Sequence, residues 1–153
     1  MDNKIAIILG SENDKKYIED SFEYFNYFSL KFEVHVISAH RNPNEVALFA
    51  SGAHNNGYKI LIGSAGMAAH LAGALKAHSI LPVIGVPLPG GIEDGMDALL
   101  STVQMPKGVP VATMSVGKHG MINAAILSAE ILALNNSEIS EKLIQFKKIG
   151  SKL

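Results

Sequence analysis

The chain alternates short apolar runs with stretches of helical period. Ile5–Leu9 is a continuous run of strand type, stopped by Gly10. From Asp14 to Phe28 apolar residues recur at 17, 18, 22, 25 and 28, which predicts a helix. Phe32–Ile37 alternates and is rich in β-branched residues, the pattern of a strand. Pro43, suited to a first helical turn, opens a helix that runs to about Asn55, where Asn56 and Gly57 break it. Lys59–Ile62 reads as a third strand, Met67–His78 as an Ala-rich helix, and Val83–Val86 as a fourth strand between prolines. A helix over about 95–104, a turn from Met105 to Pro110 and a short strand Val111–Met114 follow. Asn123–Leu134 is helical. Ser137–Ile149 is a last, amphipathic helix, capped by Ser137 or Ser140.

Strands separated by helices of this length imply βαβ units with right-handed crossovers and a mainly parallel sheet. Short, wholly apolar strands suit a sheet covered on both faces. The expected fold is α/β: one flavodoxin-like, three-layer αβα sandwich over residues 1–153, with no repeat or linker. Ligands of such sheets sit outside the carboxyl ends of the strands. That rule selects three loops, 10–14, 38–43 and 63–70. The stretch 119–134 carries one acid, Glu130, and is apolar on nearly all sides, so it should be buried centrally or at an interface. The polar last helix, about 137–150, is expected at a subunit interface.

Composition narrows the function classes. Lys and Arg number 13 against 14 Asp and Glu, a net charge of −1, so no polybasic arm or acidic tail dominates. The few aromatic residues are not interleaved with a basic patch, which counts against nucleic-acid binding. Hydrophobic residues at 48% and charged ones at 18% argue against disorder. There is no cysteine, hence no disulfide, thiolate nucleophile or Cys-based metal site. No His or carboxylate spacing suggests another metal site. The start, Met1 to Lys4 and then a short apolar run, does not read as a signal peptide, and no long apolar stretch is uninterrupted. A cytoplasmic protein without membrane contact is expected. A mean hydropathy of +0.21 suggests apolar surface buried between subunits.

The three loops carry the candidate chemistry. In the first, Gly10 allows a tight turn with exposed N–H groups, Ser11 can donate to a phosphate, and Asp14 can accept from sugar hydroxyls. Ser11 or Asp14 could equally be a helix cap. In the second, Ser38, Ala39, His40 and Arg41 follow a strand. His40 suits proton transfer near neutral pH, and Arg41 can grip a phosphate through two parallel hydrogen bonds. The plain alternative is an incidental His beside a surface Arg. In the third, Ala65 and Gly66 let a ligand or a neighbouring backbone come close. His70 could contact a base or merely hydrogen-bond in the core. His35, His54, His78 and His119 read as incidental: within a strand, near helix ends, and ahead of a helix.

These loops, in this order, resemble the class I PurE family of purine biosynthesis. The family's Gly-Ser-x-Ser-Asp loop appears at 10–14 with Asn13 in place of its second Ser. Its Ser-Ala-His-Arg motif is intact at 38–41, and its Ala-Gly-x-Ala-Ala-His-Leu motif stands at 65–71. The segments Pro82–Pro87, Asp97–Pro110 and Asn123–Leu132 also match, so the resemblance spans about residues 5–148. Met67 stands where a Gly is common, and could narrow the pocket or reach an adjacent subunit.

The resemblance implies an isomerase, an N5-carboxyaminoimidazole ribonucleotide mutase, which moves a carboxylate from the exocyclic nitrogen to C4 of the imidazole. It implies His40 as general acid and base. Ser11, Ser38 and Arg41 would hold the 5′-phosphate and Asp14 the ribose. Gly10, Ala39, Ala65, Gly66, Leu71 and, more weakly, Asn13 and His70 would complete the substrate pocket. It also implies a homo-octamer and no ATP, metal or organic cofactor. One rival is the class II branch, which carboxylates aminoimidazole ribonucleotide directly; that branch has Lys after the motif His, so Arg41 favours the mutase. A non-catalytic flavodoxin-like nucleotide or flavin sensor and a structural oligomerisation module are the others.

Overall fold

Within Ile5–Leu9 alternate residues point to opposite faces, yet all five are buried, so the strand must be covered on both sides. The computed structural model describes residues 4–153 and shows both covers. The reading of the first three residues as no part of a leader lies outside the described residues. Five strands are present, β1 (Lys4–Leu9), β2 (Lys31–Val36), β3 (Tyr58–Ala65), β4 (Val83–Pro87) and β5 (Ala112–Thr113). The helices are α1 (Phe22–Tyr27), α2 (Pro43–Gly52), α3 (Leu71–His78), α4 (Met96–Val103), α5 (Lys118–Ala133) and α6 (Ser137–Lys148), with short 3₁₀ turns at 12–17, 19–21 and 92–94.

The sheet is wholly parallel, in the order β2-β1-β3-β4-β5. This is the flavodoxin-like order, whose switch point lies between β1 and β3. Ile5, Ile7 and Leu9 join Ile60, Ile62, Ile84 and Val86 under α1, α5 and α6, through Phe25, Phe28, Met121, Ala125 and Phe146. On the other face Ala6, Ile8, Leu61 and Val83 pack under α2 and α3, through Val46, Ala50, Ala72 and Leu75. Helix α3 comes close to the sheet because β3 carries Gly63: a Cβ there would lie 2.9 Å from the Ala72 Cα. Toward the opposite end of the sheet from the ligand loops, Lys4 pairs with Glu33 at 2.8 Å, and the Tyr58 hydroxyl donates to Glu33. The His35 Nε2 meets the same hydroxyl at 3.0 Å, which ties the first three strands together through side chains.

Several boundaries differ from the sequence reading. The helix expected over 14–28 is two 3₁₀ turns followed by α1. The Asp14 N–H donates to the Ser11 carbonyl, the Ile18 N–H to Lys15, and the Ser21 N–H to Ile18, so the ladder here has the three-residue step. The third helix starts at Leu71 rather than Met67, because Met67 has φ +52°, which a right-handed helix cannot contain. The second ends at Gly52, short of Asn55. Helix α5 starts at Lys118 instead of Asn123 and so includes His119. Gly120 is not a breaker there: a Cβ would fall 1.8 Å from the Ser115 carbonyl oxygen, so a close approach requires Gly. The α6 cap is Asn136, whose side-chain oxygen accepts from the Ile139 N–H at 3.1 Å, rather than Ser137 or Ser140. Much of the apolar stretch at 119–134 packs within the chain, with Met121, Ala124, Ala125 and Ala129 buried between the sheet and α6, while Leu134 at its end stays exposed. No helix among the described residues is long and apolar enough to cross a membrane.

Candidate active site

Each of the first three strands ends in one of the selected loops, and the parallel sheet puts all three at one edge. The Gly10 N–H donates to the Ser64 carbonyl at 3.2 Å and the Ile37 N–H to the Leu9 carbonyl at 2.9 Å, so the ladder continues into the loops and fixes their departure. Between them lies an open cavity of about 800 Å³. That volume suits a nucleotide-sized ligand.

In the first loop Gly10, Ser11 and Asp14 line the cavity. The Ser11 Oγ accepts from the Asn13 N–H at 3.3 Å, so the capping role is present. Asn13 is exposed and is not among the cavity's lining residues. Burial raises the Asp14 carboxyl above its ordinary value, against the lowering effects of the Ser11 backbone and Lys16. Asp14 is thus a half-buried acceptor that would gain by meeting donors such as sugar hydroxyls.

The second loop turns on Ser38. Its Oγ accepts from the Arg41 N–H at 3.3 Å and its carbonyl from the Asn42 N–H at 2.8 Å. This turn lifts His40 and Arg41 clear of the strand, and both are exposed at the cavity with Ala39 and Asn42 beside them. Pro43 then begins α2.

The third loop is fastened from two sides. The Leu88 N–H donates to the Ala65 carbonyl at 2.9 Å, and the Ala69 N–H donates to the Ser101 Oγ on α4 at 2.9 Å. Gly66 passes against the backbone of Leu88 and Pro89: a Cβ there would sit 3.6 Å from the Leu88 carbonyl oxygen and 3.7 Å from that of Pro89. His70, just before α3, turns back to the second loop. Its Nδ1 lies 2.8 Å from the Nε2 of His40, with the rings edge to face. Leu71 is buried and forms part of the cavity wall.

The cavity therefore brings together Gly10, Ser11, Asp14, Ser38, Ala39, His40, Arg41, Ala65, Gly66, His70 and Leu71. A guanidinium with serine hydroxyls, a carboxylate and an imidazole pair share one concave surface. The family scan matches the AIR carboxylase model to residues 4–152. The chain belongs to the AIR carboxylase family. Among the relatives of this AIR carboxylase family member, the N5-carboxyaminoimidazole ribonucleotide mutase of Escherichia coli (strain K12) is 41% identical over 145 residues, 95% of this chain and 86% of that protein. The protein of the same name from Saccharolobus solfataricus is 43% identical over 145 residues, 95% and 90% of the two chains. The crystal structure of Treponema denticola PurE superposes with a TM-score of 0.87 at 23% identity, over 97% of this chain and 92% of that one, and shares the fold.

Sequence reasoning missed part of the wall of this AIR carboxylase family cavity. Val36, Asn42, Ala68, Pro89 and Gly90 also line it. Pro89 and Gly90 follow β4, so the rule that chose the first three loops would also have chosen this fourth one. Among the described residues no group of three or more His, Asp or Glu is gathered as a metal site.

Proposed function

We propose that the chain is an N5-carboxyaminoimidazole ribonucleotide mutase of purine biosynthesis. The observation that carries this reading is the placement of His40, hydrogen-bonded to His70, beside Arg41 in a cavity whose other rim carries Ser11 and Asp14. The relatives that bear this name extend over nearly the whole chain.

In this reading Arg41, Ser11 and Ser38 hold the 5′-phosphate, and Asp14 accepts from the ribose. The bond between the exocyclic nitrogen and the carboxylate carbon breaks, CO2 is released, and the nitrogen takes a proton from His40. C4 of the imidazole then attacks the same CO2, and His40 takes the proton that C4 loses. The two transfers cancel, so the reaction needs no net acid, base or redox partner. A proton shuttle of this kind contributes about 10²–10⁴-fold, and holding the ring by its distant phosphate contributes orientation. Gly10, Ala39, Ala65, Gly66, His70 and Leu71 shape the space around the ring. Asn13 is left at the edge, without a contact assigned to it.

The proposal extends to a cytoplasmic homo-octamer with α6 near a subunit contact. Leu48, Ile80, Ile92 and Leu134 are exposed by 72–82% within the single chain. Large apolar side chains left so open are what assembly would cover.

A paired assay tests the reaction. One arm supplies N5-carboxyaminoimidazole ribonucleotide, the other aminoimidazole ribonucleotide with low bicarbonate, and both follow the C4-carboxylated product. Fast conversion only in the first arm is expected. Efficient conversion in the second would assign the chain to the direct carboxylases despite Arg41, and silence in both would leave a binding module.

A further inference from the structure

The third loop contains a residue whose backbone and side chain are at odds with its surroundings. Met67 lines the cavity between the small residues Gly66 and Ala68. Among the described residues it is the one non-glycine member of the cavity wall with φ in the left-handed region, at +52°. That conformation costs energy for any residue with a Cβ. It persists because α4 holds the segment: the Ser101 Oγ accepts from the Ala69 N–H at 2.9 Å and lies 3.4 Å from the Met67 carbonyl oxygen. The single Ser101 hydroxyl proton goes to the Asp97 carbonyl at 2.7 Å, which fixes it on its own helix.

The effect is to aim a long side chain outward at the cavity rim. Met67 is 66% exposed, so its thioether packs against little in the free chain. Leu71, by contrast, is part of the buried wall. Methionine is unbranched and adaptable, and can cover surfaces of irregular shape.

We propose that Met67 is a cover, whose side chain folds over the imidazole end of the bound nucleotide and retains CO2 between its release and its recapture. This rests on the mutase reading above. The intermediate is small, uncharged and apolar, so an apolar cover excludes water without binding CO2 through polar groups. If CO2 escapes before C4 attacks it, the protonated amine remains as aminoimidazole ribonucleotide, and the lost carbon is replaced by CO2 from solution or not at all.

The test uses the full chain, with Met67→Gly, which suits the left-handed backbone, and Met67→Gln, which keeps the length but is polar. Each protein converts unlabelled N5-carboxyaminoimidazole ribonucleotide in ¹³C-bicarbonate, with the enzyme-free reaction subtracted. Mass spectrometry reads ¹³C in the C4-carboxylated product and the amount of free aminoimidazole ribonucleotide. For Met67→Gly the sum of label and free amine should rise at least about threefold over the parent, with Met67→Gln between the two. Parent-like values for Met67→Gly, in a parent that does turn over, overturn the cover and leave the mutase reading intact. A parent that makes no product overturns both. A changed size-exclusion volume for Met67→Gly would make Met67 a contact between copies and likewise overturn the cover. Unfolding should not be the cause of any effect, since glycine relieves the backbone at this position, and an unchanged or raised melting temperature checks it.

Discussion

His40 Nε2 and His70 Nδ1 are 2.8 Å apart although their residues are 30 apart in sequence. At that distance one hydrogen lies between the two nitrogens. One ring donates and the other accepts, so protonating both facing nitrogens would break the contact. His70 therefore does more than fill the pocket: it fixes the direction of the His40 ring.

His70→Asn places an amide oxygen or nitrogen near the position of the lost Nδ1, whereas His70→Ala leaves none. His70→Ala should lower kcat by about tenfold, the scale of one hydrogen bond, while Asn restores much of it. His40→Asn should lower kcat by about 10²–10⁴-fold and leave nucleotide affinity within a few-fold. Steady-state kinetics and calorimetric binding check both. Near-normal turnover of His40→Asn would remove it from the chemistry.

Arg41 is exposed beside the cavity, with its backbone held by Ser38. Arg41→Met should raise KM about 10–100-fold, the equivalent of the roughly 1.5–3 kcal/mol of a charged hydrogen bond. Arg41→Lys should fall between, because it retains charge but not the two-pronged geometry. A KM unmoved by Arg41→Met would place the phosphate elsewhere.

Asp14 sets binding against stability. Burial raises its folded-state pKa. A raised pKa means that its stabilising share is full below the unfolded value of about 3.9 and is lost as pH rises through the folded value. At neutral pH the ionised carboxylate therefore weakens the free fold. Asp14→Asn should raise the melting temperature at pH 7 by about 1–2 °C, a small gain because the group is half exposed. The gain should vanish at pH values below the carboxylate range, and KM should rise. Thermal melts at both pH values decide: a variant less stable than the parent at pH 7 contradicts this account.

Gly63 brings α3, and with it His70 at its entry, down onto the sheet. Gly63→Ala would put a Cβ 2.9 Å from the Ala72 Cα and 3.0 Å from its nitrogen. Overpacking of this kind costs about 1–3 kcal/mol, or roughly 2–12 °C in a chain of this size. Activity should fall with it, since the displaced helix carries His70 away from His40. A melt unchanged by Gly63→Ala would mean that α3 shifts without cost.

The parts of this fold legible in the sequence are those where one physical signal dominates. Ile5–Leu9 and the run around Val83 are short, apolar and bounded by Gly or Pro, and they are strands. The region 12–21 misled because the helical spacing over 14–28 is carried by residues from Ile18 to Phe28, while Ser11 and Ser21 make local bonds of shorter step. Met67 misled because nothing in its side chain announces a left-handed backbone. The segment is fastened through the Ala69 N–H by Ser101 of α4, which is distant in sequence. The site was legible in its loops and not in its contacts: residue types and strand ends located His40 and His70, but only the pairing of β1 with both β2 and β3 sets their nitrogens face to face.

Because β1 stands between β2 and β3, its two partners leave the ribosome at different times. β2 is complete at residue 36, and β3 only at residue 65. In the interval an apolar strand has one whole edge unpaired, the kind of edge that invites pairing with another chain. A nascent chain that stops short of residue 70 contains His40 but has nothing to hold its ring. Synthesis thus brings out His40 well before His70, the partner that its ring faces across 2.8 Å.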